Sequence, residues 1–359
     1  MCGDGVVRAD AEECDDANTV DDDSCSNACI KHYNVAFVTS TTYKVSTLGG
    51  LAGADAACAT RASAADLPGN FVAWMGTSEV AIAARLEGAR GWVRPDGKPF
   101  LDEADARATF YPPSITELGN LVSRDGPPTA GGYASGASGN ECADWTSEAA
   151  DQYLLSGDPT GGTGAWNGSW TSTQCSSPFR LYCLQHDFSN VLTFEPTGGR
   201  LAFVSNEPWF PEGGLSAADA RCDQDALDAG LSGTFKALLA TSTASAASRF
   251  STEGGTWVRR DGIPIVAQAH DLFDADGTLL APLQLTAFGT YLGNYGGWSG
   301  AADPNQVGSS TCNDWTSSAT SALGTSGRVF FGTIPDMLGY DPDGPCDAEY
   351  THLYCLEEP

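Results

Sequence analysis

The sequence predicts an α+β chain in which one fold occurs twice behind a small cysteine-rich module. Three observations carry that reading. Short β-like runs alternate with one clear helix candidate and long Gly-rich loops in each half. Blocks of the first half return in the second. Twelve cysteines fall as four before residue 30, four in the first copy and four in the second.

The repeated blocks define the copies. Phe37-Val-Thr-Ser, Gly49-Gly-Leu-Ala-Gly-Ala-Asp-Ala-Ala-Cys58, Trp92-Val-Arg-Pro-Asp-Gly97, Cys142-Ala-Asp-Trp-Thr-Ser147 and Leu181-Tyr-Cys183 come back as Phe203-Val-Ser-Asn, Gly213-Gly-Leu-Ser-Ala-Ala-Asp-Ala-Arg-Cys222, Trp257-Val-Arg-Arg-Asp-Gly262, Cys312-Asn-Asp-Trp-Thr-Ser317 and Leu353-Tyr-Cys355. Insertions fall between blocks and not inside them, as expected when a core is held and loops drift. The boundaries are residues 1–34 for the module, 35–187 and 200–359 for the copies, and 188–199 for a linker. Val191, Leu192 and Phe194 make that linker apolar enough to pack.

Each copy opens on a strand, Val35–Thr39 or Leu201–Ser205. A helix follows Gly-Gly, with Leu51 and Cys58, or Leu215 and Cys222, seven apart on one face. Thr77-Ser78 and Thr241-Ser242 are expected to cap a second short helix ending near Arg85 and Arg249. Trp92–Phe100 and Trp257–Ile265 read as hairpins turned at Asp-Gly. The middle of each copy is loop. The last strands are Arg180-Leu-Tyr-Cys-Leu and His352-Leu-Tyr-Cys-Leu.

The formal charge is −28, with four lysines in 359 residues. Such a surface repels phosphate backbones and anionic membranes, so nucleic acid is not an expected partner. No apolar run approaches the roughly 20 residues of a membrane helix. An even cysteine count in each module, at matching positions in the copies, points to disulfides and an oxidising, extracellular or cell-surface location. No export signal precedes the cysteine-rich module, so the chain reads as mature or trimmed.

Residues 1–34 have too few apolar side chains for a core and depend on cross-links. Cys2, Cys14, Cys25 and Cys29 allow three pairings. The segment resembles the acidic four-cysteine repeat common in secreted proteins of myxobacteria and their relatives, with Ala17 where that repeat has Gly. Its dense carboxylates, Asp4, Asp15, Asp16, Asn18, Asp21, Asp22 and Asp23, are candidate calcium ligands. Solubility alone would also explain them.

The order of strand, cysteine-bearing helix, second helix, long loop and terminal cysteine strand resembles the C-type-lectin-like fold. Each copy is more specifically similar to a bacterial domain of uncharacterised function, distantly similar to endostatin. The resemblance implies bridges Cys58–Cys183, Cys142–Cys175, Cys222–Cys355 and Cys312–Cys346. It also directs attention to calcium-dependent sugar sites, built from an acidic Pro triplet in the long loop and a Trp-Asn pair on the next strand. The second copy offers Asp303-Pro304-Asn305, and the first offers Trp166-Asn167, so each holds half a site. Asn167-Gly-Ser169 is a formal glycosylation sequon. Tyr133, Tyr291, Tyr295 and Trp298 are aromatics available for stacking on sugar. Asp144-Trp145, Asp314-Trp315, Asp55 and Asp219 read as structural.

Neither Gly-x-Ser-x-Gly, His-Glu-x-x-His nor a phosphate loop is present, and no histidine is shared between copies. The expectation is therefore a secreted or surface-displayed, adhesin-like binding protein that recognises a glycan or an extracellular protein through its long loops, without an organic cofactor. The alternative is a structural subunit that self-associates into an extracellular fibre or coat. A hydrolase with paired carboxylates is a third reading.

Overall fold

The computed structural model describes residues 2–8, 11–21, 23–106, 108–124, 126–132, 134, 141–168 and 171–358. Asp22, Tyr133 and Ser169 lie outside these. The chain divides into two compact units, Met1–Pro159 with Ala165–Phe194, and Thr160–Gly164 with Glu195–Pro359.

Unit 1 carries β1 (Asn34–Val38), α1 (Gly50–Ala64), β2 (Phe71–Ala73), β3 (Trp92–Val93), β4 (Pro99–Leu101), β5 (Thr129–Ala130), β6 (Tyr153–Gly157), β7 (Thr171–Gln174) and β8 (Arg180–Gln185). The strands form one mixed sheet in the order β4-β3-β1-β8-β5-β6-β7, with β2 also paired to β8. β8 is central: β1 runs antiparallel along one side, while β2 and β5 share the other. That position explains why Leu181-Tyr-Cys-Leu is apolar without alternation, since both faces of the strand are covered. On one face α1 buries Ala54, Cys58 and Ala62 against Phe37, Phe71 and Trp145. On the other lie Trp74, Trp92, Phe100, Trp166 and Tyr182.

Unit 2 repeats the plan with β9 (Arg200–Val204), α2 (Gly214–Asp228), β10 (Thr234–Ala237), β11 (Trp257–Val258), β12 (Gly296–Trp298), β13 (Leu323–Arg328), α3 (Ile334–Gly339), β14 (Asp341–Pro345) and β15 (Thr351–Glu358). Its mixed sheet runs β11-β9-β15-β12-β13-β14, with β10 paired to β15. The Gly-Gly before each long helix has a backbone cause. Gly49 and Gly50 have φ of 78 and 71°, Gly213 and Gly214 of 82 and 73°, a pair of conformations that L-residues resist.

All twelve cysteines are bonded. Cys2–Cys29 and Cys14–Cys25 hold the N-terminal module. Cys58–Cys183 and Cys222–Cys355 tie each long helix to the central strand, and Cys142–Cys175 and Cys312–Cys346 close the base of each long loop.

One expectation needs correction. Ser78 and Ser242 cap no helix. The short helix Ile82–Arg85 starts after Ala81, whose side chain offers no acceptor, and Ser78 is bonded elsewhere. In the first half of 188–199, Leu192 is buried and Val191 is exposed. The Asn190 side-chain amide donates to the carbonyls of Ser24 and His32, the Leu192 amide donates to Asp102, and the Phe194 ring meets Phe110 edge-on. These contacts fasten the module to unit 1. Among the described residues no helix is long and apolar enough to cross a membrane.

Candidate functional site

The repeated motifs are mostly framework. In Trp-Val-Arg-x-Asp-Gly the arginine is the buried element. Arg94 and Arg259 each pair with the aspartate two residues on and donate to a proline carbonyl, of Pro112 or Pro282. Asp55 and Asp219 each accept two bonds from Arg85 or Arg249 and one from a backbone amide, of Ala73 or Ala237. A half-buried carboxylate–guanidinium pair of this kind orients the helix against the sheet through fixed, planar geometry.

The Cys-x-Asp-Trp-Thr-Ser block is different, because it stores strain. Cys142, Ala143, Asp144 and Trp145 have φ of 52, 51, 54 and 62°; Cys312, Asn313, Asp314 and Trp315 have 51, 56, 51 and 66°. Each is a left-handed turn of four consecutive L-residues, at roughly 1–2 kcal/mol per residue. Only a surrounding that over-determines the turn can hold it. The cysteine is bridged. The indole N–H of Trp145 donates to the Gly76 carbonyl at 2.6 Å, that of Trp315 to Ala240 at 2.8 Å. Asp144 accepts from the amide and hydroxyl of Ser78, and Asp314 from those of Ser242, all at 2.7 Å. Thr146 and Thr316 donate their hydroxyls back to the carbonyls of Ala143 and Asn313 at 2.6 Å. The second position of the block, Ala143 or Asn313, is exposed and makes none of these side-chain bonds.

In unit 2 this turn forms one wall of an open cleft of about 470 Å³. Ser242, Ser310, Thr311, Asn313 and Asp314 line it with hydroxyl, amide and carboxylate groups, and Leu323, 47% exposed, adds an apolar surface. The Asp314 carboxyl is held below its ordinary value by the backbone and hydroxyl bonds from Ser242. At neutral pH it is therefore an acceptor only, and it is poorly suited to general-acid work. The wall is preorganised, so a ligand meets groups whose ordering cost is already met by the fold.

Of the sequence-derived ligand residues that are described, Trp166 and Asn167 belong to unit 1, and Tyr291, Tyr295, Trp298, Asp303 and Asn305 to unit 2. Trp298 is corrected from a stacking platform to core, and Trp166 from one member of the Trp-Asn half-site to core. Trp166 is 2% exposed among Trp74, Phe100 and Tyr182, with its indole N–H on Thr109. Trp298 is fully buried against Trp315 and donates to the Trp209 carbonyl. Tyr291 is likewise mostly buried and hydrogen-bonds Asp261, and burial pushes its phenol well above the usual range. Tyr295 keeps part of its ring in solvent and sets its edge against His352. Asn167 is half-buried, its backbone carbonyl accepting from Gly132. Asp303-Pro304-Asn305 closes on itself: Asp303 accepts from the Asn305 amide and side chain, and Asn305 also donates to the Phe273 carbonyl.

The carboxylates of the N-terminal module do not converge on an ion either. Asp15 accepts from the amides of Asp4, Gly5 and Ala17, Asp23 from Asn18 and Cys25, and Asp21 from Asn27, while Asp4 pairs with Arg8. Asp16 and Asn18 each accept from an amide two residues on. Among the described residues, the groups of three ligand atoms close enough to share a metal each include a disulfide-bonded cysteine. Among the described residues these bonds order the loops, and no three carboxylates lie within reach of one ion.

Residues 1–30 match the domain of unknown function DUF4215. No curated protein matches the chain.

Sequence reasoning missed two features. The left-handed turn has no periodic signature, although an Asn at an otherwise matched Ala position is a cue, since Asn tolerates that conformation. The tight turn at Leu118-Gly119 and Phe288-Gly289 also recurs in both copies, with its Thr116 and Thr286 hydroxyls accepting from the amides of Asn120 and Thr290. Aligning the loops at the spacing of the cysteine block would have exposed it.

Proposed function

We propose that this is an extracellular binding protein whose second copy recognises a glycan in the cleft beside the Cys312–Trp315 turn. The observation that carries the reading is the lining of that cleft: five hydroxyl side chains, one amide and one carboxylate around an apolar surface, with the amide and carboxylate set on a left-handed turn. Sugar rings present hydroxyls at their rim and C–H groups on their faces, and this lining complements both. Six disulfides support an oxidising location. The ligand role passes to the cleft because the Asp303–Asn305 triplet is internally bonded, and recognition is read as independent of calcium.

A glycan array probed with the full chain tests this. The expected result is selective binding that survives chelator and is lost in Asn313→Ala. Uniformly negative spots, or binding unaffected by Asn313→Ala, would contradict it.

A further inference from the structure

A second cleft, of about 330 Å³, lies beside the first in unit 2. Its lining includes Asp341, Pro342, Asp343, Pro345 and Tyr350. Tyr350 is 46% exposed, and Arg328 sits over its ring at 5.6 Å and over that of Tyr340 at 5.5 Å, while also pairing with Asp341 at 2.6 Å. The guanidinium thus fixes the position of the tyrosine ring without covering its surface from water. The two clefts share a wall: Ser310 lines the first, Asp343 lines the second, and the Ser310 hydroxyl donates to the Asp343 carboxylate at 2.6 Å. The strands behind them are paired, with Leu323 of the first cleft opposite Pro345 of the second.

We infer that the second cleft is a further sugar subsite, so that the ligand is an oligosaccharide of at least two residues, uncharged or amine-bearing. This rests on the glycan reading above. Tyr350 and the prolines offer flat apolar surface for the C–H face of a ring, and Asp343 offers an acceptor for hydroxyl or ammonium groups. The sign of charge follows from the walls. Asp314, Asp341 and Asp343 outnumber Arg328, so uronate, sialate or sulfate groups would meet like charge at short range.

Calorimetry on the full chain tests it, with neutral gluco-, manno-, galacto- and N-acetylglucosamine oligomers of one to six residues and with oligogalacturonates. The expected result is at least a tenfold fall in Kd from one residue to two or three, then a plateau. Tyr350→Ala should erase that gain and leave monosaccharide affinity unchanged, and Tyr350→Phe should retain it. Equal affinity for monomer and oligomer, an unaffected Tyr350→Ala, or preference for oligogalacturonate would overturn the subsite while leaving the first cleft standing. Absence of binding to every probe would overturn both. An exposed residue such as Tyr350 can be changed without loss of folding, and an unshifted melting curve checks this.

Discussion

The two copies solve the same local problems with different side chains. The carbonyl at the end of the first strand, of Thr39 or Ser205, accepts a bond from Arg180 at 2.6 Å in unit 1 and from His352 at 2.7 Å in unit 2. The next amide, of Ser40 or Asn206, donates to Glu117 from a loop in unit 1 and to Asp225 from the helix in unit 2. The partner arginine moves accordingly, from Arg61 against Glu117 to Arg221 one turn before Asp225. The atom that needs a partner is constant, and the residue that supplies it is not. By contrast the serine, indole and threonine bonds that hold the Cys-x-Asp-Trp-Thr-Ser turn recur in both, because strain leaves fewer solutions, and unit 2 adds the Thr311 hydroxyl, which bonds the Asp314 amide and carboxylate. Divergence is therefore free where a bond can be rerouted, and at the exposed position of the turn, where Ala143 became Asn313 or the reverse.

Removing a long-range bridge should break the equivalence least and stability most. The double variants Cys58→Ala/Cys183→Ala and Cys222→Ala/Cys355→Ala remove bridges that close loops of similar separation, 125 and 133 residues. Each should lower its own unit's stability by about 4 kcal/mol. Calorimetry that found one unit indifferent would break the comparison. The rerouted carboxylates should separate the copies. Glu117 has a fully buried side chain beside Arg61, so Glu117→Gln should cost about 3 kcal/mol. Asp225 pairs with the more exposed Arg221 along one helix, so Asp225→Asn should cost less, at most about 1 kcal/mol, and chemical denaturation of both variants measures the difference.

Acid should distinguish the units further. Burial pushes the His352 imidazole below its ordinary value of 6.5. The unfolded chain then binds a proton that the folded one resists, so stability is full above 6.5 and falls as pH drops from there toward the folded value. Unit 2 should melt lower at pH 5 than at pH 7, and His352→Arg should remove that dependence by importing the unit 1 solution. A pH-independent unit 2 would count against the buried histidine. The smallest effect belongs to the turn. Ala143→Asn should stabilise unit 1 by about 1 kcal/mol, because asparagine tolerates left-handed backbone.

Much of this scaffold is legible in the amino acids, for local reasons. Leu-Tyr-Cys-Leu reads as a buried strand because both faces are apolar. The matched cysteines read as cross-links, and Asp-Gly marks the hairpins. The site is less legible. Trp298 looks like a platform and Trp166 like part of a ligand pair, yet both are packed in the cores. Asp303-Pro-Asn305 looks like a ligand triplet until its own amides are seen to fill it. The cleft itself is assembled from Ser242 and from the distant segment that carries Ser310, Asn313 and Leu323, ordinary residues whose meeting depends on tertiary structure. No periodicity or motif announces such a set.

The central claim is that a shared scaffold carries a sugar site in its second copy. Binding stoichiometry tests it most directly, by titrating the full chain with whichever neutral oligosaccharide binds it on the array. The account predicts one site per chain, abolished by Asn313→Ala and untouched by Ala143→Asn. Two equivalent sites per chain, or a single site that persists in Asn313→Ala, would contradict it.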